Sequence, residues 1–190
     1  MKYCSIDIET TGLNHDNCDI LEFGAVLDDL CSEMPVKHLP TFHCYFVSHV
    51  YCGEPKALSM HAKILDRIAN REKGFTYVAP TKFGNMFKKF LMKYGYELEN
   101  DKVIINVAGK NFGSFDLQFL NKKTDLNKHV VISNRFLDPS ILYVRNGDKR
   151  LPDLSLCKKR ANLEETVNHD ALSDAIDVVK LLRHSLGHKF

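Results

Sequence analysis

Three strand-like runs occupy the first fifty residues of this chain, before any helical pattern begins. Residues 2–8, 20–28 and 41–50 are rich in β-branched and aromatic side chains. A turn-rich stretch, Thr-Gly-Leu-Asn-His-Asp-Asn, separates the first run from the second. The opening of the chain therefore predicts an antiparallel meander, which later segments extend into a larger sheet.

The remainder of the chain alternates between helical and strand patterns. The clearest helical stripe, in the segment at about 81–94, consists of Phe83, Met86, Phe87, Phe90, Leu91 and Tyr94. Further helices are predicted at about 58–71, 114–124, 153–161 and 169–186. Strands are predicted at 103–108, which we expect to be buried on both faces, and at 130–132. A further segment follows at 136–143. No internal repeat or long linker interrupts this order. We therefore expect a single α/β domain over residues 1–190, with a mixed central sheet, antiparallel strands first and parallel strands later, flanked by helices.

The composition is typical of a soluble globular protein, since 44% of the 190 residues are hydrophobic and 26% are charged. No stretch approaches the roughly 18 to 20 uninterrupted apolar residues of a membrane-spanning helix. The first residues lack an apolar signal core, so we expect no signal peptide and a cytoplasmic location. The six cysteines include no Cys-x-x-Cys pair and are expected to be reduced thiols.

The net charge of +2 hides an uneven distribution. Residues 1–34 carry eight acids and one base, whereas the other 156 residues carry 25 bases and 16 acids. Such a split suits a chain that holds metal cations at one place and a polyanion at another. Each cluster of basic residues, taken alone, fits a solvent-exposed surface as well as a phosphate-binding one. Among these clusters, residues 145–160 are the first candidates for phosphate contacts. Six N-terminal acids are expected to be solvated: Asp16, Asp19, Glu22, Asp28, Asp29 and Glu33.

Two carboxylates stand two residues apart at the end of the first predicted strand. Asp7 and Glu9 leave the same face of that strand. Their mutual repulsion would need a cation in a buried setting, and oxygen-rich sites suit Mg²⁺ or Mn²⁺. Taken alone, the pair fits a solvated strand end better.

Two later segments carry further candidate groups. Asp116 follows the most hydrophobic strand and falls in the first turn of a predicted helix, where a lone aspartate is usually a capping residue. His169 and Asp174 open the last helix, about 140° apart around its axis. They can flank one site if this helix start points into a cleft, although a capping or surface role is the default for His169.

Taken together and in order, these segments resemble a known family. Ser-Ile-Asp-Ile-Glu-Thr-Thr-Gly-Leu at 5–13 is similar to the first motif of DnaQ-like 3′–5′ exonucleases of the ribonuclease H-like superfamily. The second motif is matched by Asn111, Phe112, Phe115, Asp116, Phe119 and Leu120. His169 and Asp174 resemble the third motif of the DEDDh subtype, because the sister subtype has a tyrosine where Asp170 stands. Lys110 departs from the pattern, since many relatives have histidine there.

The resemblance implies a metal-dependent exonuclease with a ribonuclease H-like fold. Asp7 would bridge two divalent ions, Mg²⁺ or Mn²⁺, with Glu9 and Asp174 completing the first site and Asp116 supporting the second. His169 would take the proton from the attacking water. The implied reaction removes nucleoside 5′-monophosphates from the 3′ end of single-stranded DNA or RNA.

The resemblance also implies residues that receive the terminal nucleotide. Backbone groups of Thr10 and Thr11 would meet the 3′-hydroxyl, and Leu13 would press against a base. Phe112 and Phe115 are candidates for base stacking, although aromatic residues at this spacing are more often part of a core. The complete set of nucleotide-binding candidates is Thr10, Thr11, Gly12, Leu13, His61, Asn111, Phe112 and Phe115. Without the resemblance, His61 is interpreted as a surface residue of a helix.

Two other functions stay open at this stage. One is an oligoribonuclease-like enzyme that acts on very short RNAs, typically as a homodimer. The other is a non-catalytic nucleic-acid-binding or polymerase-associated module that has kept the fold. The presence of four acids and the histidine argues against the non-catalytic alternative.

Overall fold

The central sheet is built around two long neighbouring strands, β1 and β2. The computed structural model describes residues 1–163 and 170–187. Its strands are β1 (Lys2–Thr10), β2 (Ile20–Asp29), β3 (Thr41–Phe46), β4 (Tyr77–Val78), β5 (Leu98–Glu99), β6 (Lys102–Ala108) and β7 (Val130–Leu137). They form one sheet in the order β4-β3-β2-β1-β6-β5, with β7 paired to β6.

The pairing directions confirm the predicted order of the sheet. β1, β2 and β3 form an antiparallel meander. β1 pairs with β6 in parallel, and β6 pairs with β7 in parallel. The predicted mixed α/β fold, a meander followed by parallel strands, is therefore correct.

Helices cover the sheet. They are α1 (Pro55–Met60), α2 (Ala62–Asn70), α3 (Pro80–Lys93), α4 (Asp116–Lys123), α5 (Leu126–His129), α6 (Leu154–Arg160) and α7 (Ala171–Ser185). No helix in the described ranges has the length and apolar character that crossing a membrane requires.

The predicted aromatic stripe of α3 forms the centre of one hydrophobic core. Phe83, Phe87 and Leu91 are fully buried, and the ring centroid of Phe83 lies 4.7 Å from that of Phe23 on β2. Tyr94, at the end of the predicted stripe, is instead exposed. The periodicity thus locates the core face of α3 correctly, but it places the end of that face one turn too far along the chain.

The opposite face of the sheet is covered by α7. Ala175, Val178 and Val179 pack with Tyr3 and Val26 of the first two strands. Because β1 and β2 lie between this helix and α3, nearly all of their residues are buried. The expectation that strand 103–108 is buried on both faces is wrong, since Ile104 of β6 is 42% exposed.

A buried ion pair corrects the expectation that Asp28 is solvated. Asp28 is 5% exposed, and its carboxylate accepts hydrogen bonds from Arg183 Nε at 2.9 Å and Tyr3 Oη at 2.7 Å. A buried carboxylate requires such partners to offset its lost hydration. This ion pair joins β2 to the last turns of α7.

Several element boundaries differ from prediction, and the strand expected at 41–50 ends at Phe46. The helix expected at 58–71 is two helices, α1 and α2, which meet at His61. The strand expected at 130–132 continues to Leu137, because β7 stays paired with β6 beyond a register irregularity. The segment at 136–143 divides between the end of β7 and a 3₁₀ turn, Pro139–Tyr143, capped by Asp138.

Candidate active site

Three carboxylates from two elements lie together between the sheet and α7. Alternation along β1 turns Asp7 and Glu9 toward the side of the sheet that α7 covers, and Asp174 lies in the first turn of α7. One ligand oxygen from each residue lies within 4.8 Å of those of the other two. The structure therefore brings together three of the four acids predicted to bind metal.

Asp116, the fourth predicted acid, reaches the same place from the start of α4. Its Oδ1 accepts a hydrogen bond of 3.2 Å from the backbone N–H of Ile8, the residue between Asp7 and Glu9. Its side chain is buried, and burial raises the pKa of its carboxyl to about 7. Asp116 is thus a buried acid beside β1, and not merely a helix-capping residue.

The electrostatics of this cluster favour a bound cation. Burial raises the pKa of Glu9 to about 8, and the charges of Asp174 and Glu22 act in the same direction. The pKa of Asp7 lies well above its usual value, because of burial and then the charge of Asp116. Carboxylates that repel one another in this way are stabilised as anions when a divalent ion lies between them. Their oxygen-only donor set fits Mg²⁺ or Mn²⁺.

The close approach of α7 depends on Gly24 of β2, which lies opposite Asp7 in the strand register. A methyl group at this position would meet the backbone of Ala171 and Leu172 at 2.3 Å. Ser5 adds a second contact by donating a hydrogen bond of 2.8 Å to the carbonyl oxygen of Ala175. The absence of a side chain at residue 24 therefore lets the start of α7 lie directly on the sheet.

Gly24→Ala is expected to push this helix start away and to weaken the cluster. Overpacking of this kind costs about 1–3 kcal/mol in the free energy of unfolding, and the affinity for Mn²⁺ should fall because Asp174 moves with α7. Ser5→Ala loosens the same helix without crowding it and should cost only about 1 kcal/mol. Urea unfolding and calorimetric Mn²⁺ titration measure the two effects. Unchanged stability and Mn²⁺ affinity in Gly24→Ala would contradict this account.

The histidine at the junction of α1 and α2 also belongs to the cluster. His61 is 3% exposed, so its interpretation as a surface residue is wrong. Its Nε2 lies 3.3 Å from Glu9 Oε2. The other predicted histidine, His169, lies outside the described residues; its neighbour Asp170 caps α7.

The end of β1 and the loop that follows it contain four of the predicted nucleotide-binding residues. The Thr10 hydroxyl donates a hydrogen bond of 2.8 Å to the carbonyl oxygen of Gly12. Thr11 donates to the carbonyl oxygen of Cys52 and accepts from the N–H of Asp19. Both threonine side chains therefore hold the loop in shape. Leu13 is 76% exposed and presents an apolar side chain to solvent.

The predicted residues of the second motif separate into core and surface positions. Phe112 is 1% exposed and packs on Phe136 at a centroid distance of 5.4 Å. It is a core residue, which removes it from the base-stacking candidates. Phe115 is half-buried and packs against Phe119. Asn111 is exposed, and its backbone N–H donates to Asp138 Oδ2 at 3.0 Å.

The basic group at residues 145–160 is only partly available to phosphates. Lys158 is buried and pairs with Asp177. Arg160 Nη2 donates to Asp148 Oδ1 at 2.7 Å. Lys158 is therefore a structural cation, and the prediction that it tracks phosphates is wrong; Arg160 is held by Asp148 and is half-buried.

Sequence reasoning missed Glu22, which was expected to be solvated. It lies directly opposite Glu9 in the β1–β2 register, and its side chain is 1% exposed. His43 Nε2 lies 2.5 Å from Glu22 Oε1. Two acids at facing positions of a strand pair are unfavourable without a compensating group. The facing positions of Glu9 and Glu22 could have indicated that Glu22 belongs to the site, but finding them requires the register of β1 and β2 to be known.

Comparison with known proteins assigns a fold to this α/β chain. No family model and no curated protein matches it. A zinc-bound E. coli exonuclease I complex with single-stranded DNA matches with a TM-score of 0.64 at 15% identity, over 97% of this chain and 40% of that chain. E. coli exonuclease I with a dT13 oligonucleotide matches with a TM-score of 0.63 at 16% identity, over 97% of this chain and 40% of that chain. A product-bound exonuclease I matches with a TM-score of 0.62 at 14% identity, over 96% of this chain and 43% of that chain. The chain is thus similar in fold to the matched part of exonuclease I and spans about two fifths of the length of these neighbours.

Proposed function

We propose that this chain is a metal-dependent 3′–5′ exonuclease that acts on single-stranded nucleic acid, with residues 1–190 forming a single exonuclease domain. The observation that carries the proposal is the meeting of Asp7, Glu9, Asp116 and Asp174 at the face of β1. An unneutralised cluster of buried acids is costly, and divalent ions bound there would supply charge stabilisation for phosphoryl transfer. The exonuclease I fold supports the same class of reaction.

Each side chain has a proposed part in hydrolysis of the terminal phosphodiester. The four acids would hold two Mg²⁺ or Mn²⁺ ions, with Asp7 shared between them as the family resemblance implies. His61 lies against Glu9 and would hold that carboxylate in position. His169 would accept the proton of the attacking water, as in the DEDDh subtype. The bond from phosphorus to the 3′ oxygen breaks, and a nucleoside 5′-monophosphate leaves.

The terminal nucleotide is proposed to bind beside the loop after β1. Leu13 is an exposed apolar side chain four residues after Glu9, and it would press against the last base. The buried Thr10 and Thr11 would contribute backbone groups, because their hydroxyls already donate to the carbonyl oxygens of Gly12 and Cys52. Of the two aromatic candidates, Phe112 is buried and Phe115 is half-buried, so Phe115 is the one proposed for stacking.

Single-stranded DNA is the first substrate to test, because two of the similar exonuclease I structures hold single-stranded DNA or an oligonucleotide. Very short RNA is the second candidate, since the metal chemistry at a phosphodiester does not depend on the sugar. Neither a homodimer nor a polymerase partner is part of this proposal.

The proposal is tested with 5′-labelled strands of about 20 nucleotides, long enough to follow a backbone-tracking groove. Matched DNA, RNA, duplex and dinucleotide substrates are compared with Mg²⁺ or Mn²⁺. We expect stepwise shortening from the 3′ end and release of nucleoside 5′-monophosphates. A strand with phosphorothioate linkages at its 3′ end is the control and should resist shortening. Divalent-ion binding without hydrolysis of any substrate would instead support the non-catalytic alternative.

A further inference from the structure

A second group of metal-ligating side chains lies beside the four acids and is not used by the proposed reaction. Glu22 of β2, His43 of β3 and Asp170 before α7 each place a ligand atom within 4.8 Å of those of the other two. They come from three separate segments, so the fold, rather than local sequence, brings them together. This group offers an imidazole nitrogen as a ligand atom, whereas the ligand atoms of Asp7, Glu9 and Asp174 are all carboxylate oxygens.

Glu22 and His43 form the buried part of this group. The Glu22 side chain is 1% exposed and that of His43 is 20% exposed. The imidazole ring packs near Tyr45, at a centroid distance of 5.1 Å, and near Phe75, at 6.4 Å. Aromatic walls of this kind exclude water from one side of a site and fix the orientation of the ring.

Asp170 completes the group from the start of α7. Its Oδ1 accepts a hydrogen bond of 2.9 Å from the N–H of Ser173. Next to it, the N–H of Ala171 donates to Glu22 Oε2 at 3.4 Å. The carboxylates of Glu22 and Asp170 are thus oriented by backbone groups of the same helix start, as ligating carboxylates usually are.

A solvent-connected cavity reaches two of these side chains, Glu22 and Asp170. It has a volume of about 780 Å³, and its lining includes Glu22, Asp170, Lys63 and Arg67. The Arg67 guanidinium is engaged by Glu72 and Tyr45. Lys63 is exposed on α2. The cavity has room for an ion together with coordinating waters.

We propose that Glu22, His43 and Asp170 form a Zn²⁺ site separate from the acid cluster. One imidazole nitrogen and two carboxylate oxygens make a donor set typical of Zn²⁺, with water as the fourth ligand. Zinc–ligand bonds of about 2.0–2.2 Å place tetrahedral donors about 3.3 Å apart, so small side-chain rotations suffice. Mg²⁺ prefers a full set of oxygen ligands, so the imidazole makes this site favour Zn²⁺ over Mg²⁺.

The consequence of an ion here is mechanical. It ties β2, β3 and the start of α7 together, four residues before Asp174. Zinc binding therefore stabilises the helix start that delivers an acid to the neighbouring cluster. The proposal does not depend on nuclease activity, because the three ligands can hold an ion whatever the neighbouring acids do.

The test measures zinc binding directly, in chains that carry Asp7→Asn to weaken the acid cluster and with excess Mg²⁺ to occupy what remains of it. Equilibrium dialysis should give one Zn²⁺ per chain. Adding His43→Gln should weaken this binding by at least about tenfold. Loss of a residue that only supports a metal ligand already costs about 10- to 100-fold in affinity, and His43 is proposed as a ligand itself. Adding His38→Gln, at an exposed histidine, should leave it unchanged.

A second variant guards against misfolding of the first. Asp170→Asn keeps a good helix cap but removes a charged ligand, and it should weaken zinc binding as His43→Gln does. Zinc should raise the unfolding temperature of the parent and of the His38→Gln chain, and should raise that of the His43→Gln and Asp170→Asn chains by less. Equal zinc affinity in the His43→Gln, Asp170→Asn and His38→Gln chains would overturn the proposal.

Discussion

Asp7→Asn is expected to lower nuclease turnover by at least about 100-fold, because loss of a group that merely supports a metal ligand already costs 10- to 100-fold. The substitution preserves the shape of the side chain and removes its charge. Asp7 is the acid proposed to bridge both ions, so its loss weakens both positions at once. The effect should therefore exceed that of replacing any acid proposed to contact only one ion.

The same substitution should make the metal-free protein more stable. The pKa of Asp7 is raised by burial and by the charges of Asp116, Glu9 and Asp174, so the folded protein bears the cost of ionising it near neutral pH. A neutral amide removes that repulsion. Loss of activity together with a gain in stability separates a functional carboxylate from one that merely supports the fold.

The measurements are hydrolysis of labelled single-stranded DNA with Mg²⁺ and urea unfolding in the presence of EDTA. Asp66→Asn, at an exposed position on α2, is the matched control and should change neither quantity. Retention of full activity by Asp7→Asn would exclude the proposed role of Asp7. Reduced stability in EDTA would show that the folded protein needs the negative charge.

The meander and the shared face of Asp7 and Glu9 can be predicted from sequence, because strand periodicity is a local property. The proximity of Asp116 and Asp174 does not follow from spacing. It depends on β6 pairing with β1, which brings α4 to Ile8, and on the contact between α7 and Gly24. The resemblance to a family implied this convergence, whereas local patterns alone did not.

Burial of charged side chains was the main feature that sequence reasoning missed. Asp28 lies in a strand full of apolar residues, but its partner Arg183 is 155 residues away. Lys158 is likewise buried because Asp177 of another helix meets it. A charge is expected in solvent unless its partner is known, and such partners are set by tertiary packing. The burial of Glu22 and of His61 was not predicted for the same reason.

The stability of the metal-free protein should fall as the pH rises from about 5 to about 8, in the range where Glu9 and Asp116 ionise in the folded state. Their pKa values are raised from 4.5 to about 8 and from 3.8 to about 7. Between the unfolded and folded pKa values, the folded chain binds more protons than the unfolded chain. The free energy of unfolding therefore decreases with pH, by up to about 1.4 kcal/mol per pH unit for each such group.

Divalent ions should reverse this trend, because they bind the ionised carboxylates and compete with protons. The stabilisation that Mg²⁺ provides is therefore expected to be small at pH 5 and to grow toward pH 8. Urea unfolding at four pH values between these limits, in EDTA and in Mg²⁺, measures both curves. Asp116→Asn should flatten the EDTA curve, since it removes one of the titrating groups. An EDTA curve that rises from pH 5 to 8, with an Mg²⁺ effect that does not depend on pH, would contradict the electrostatic account of the cluster.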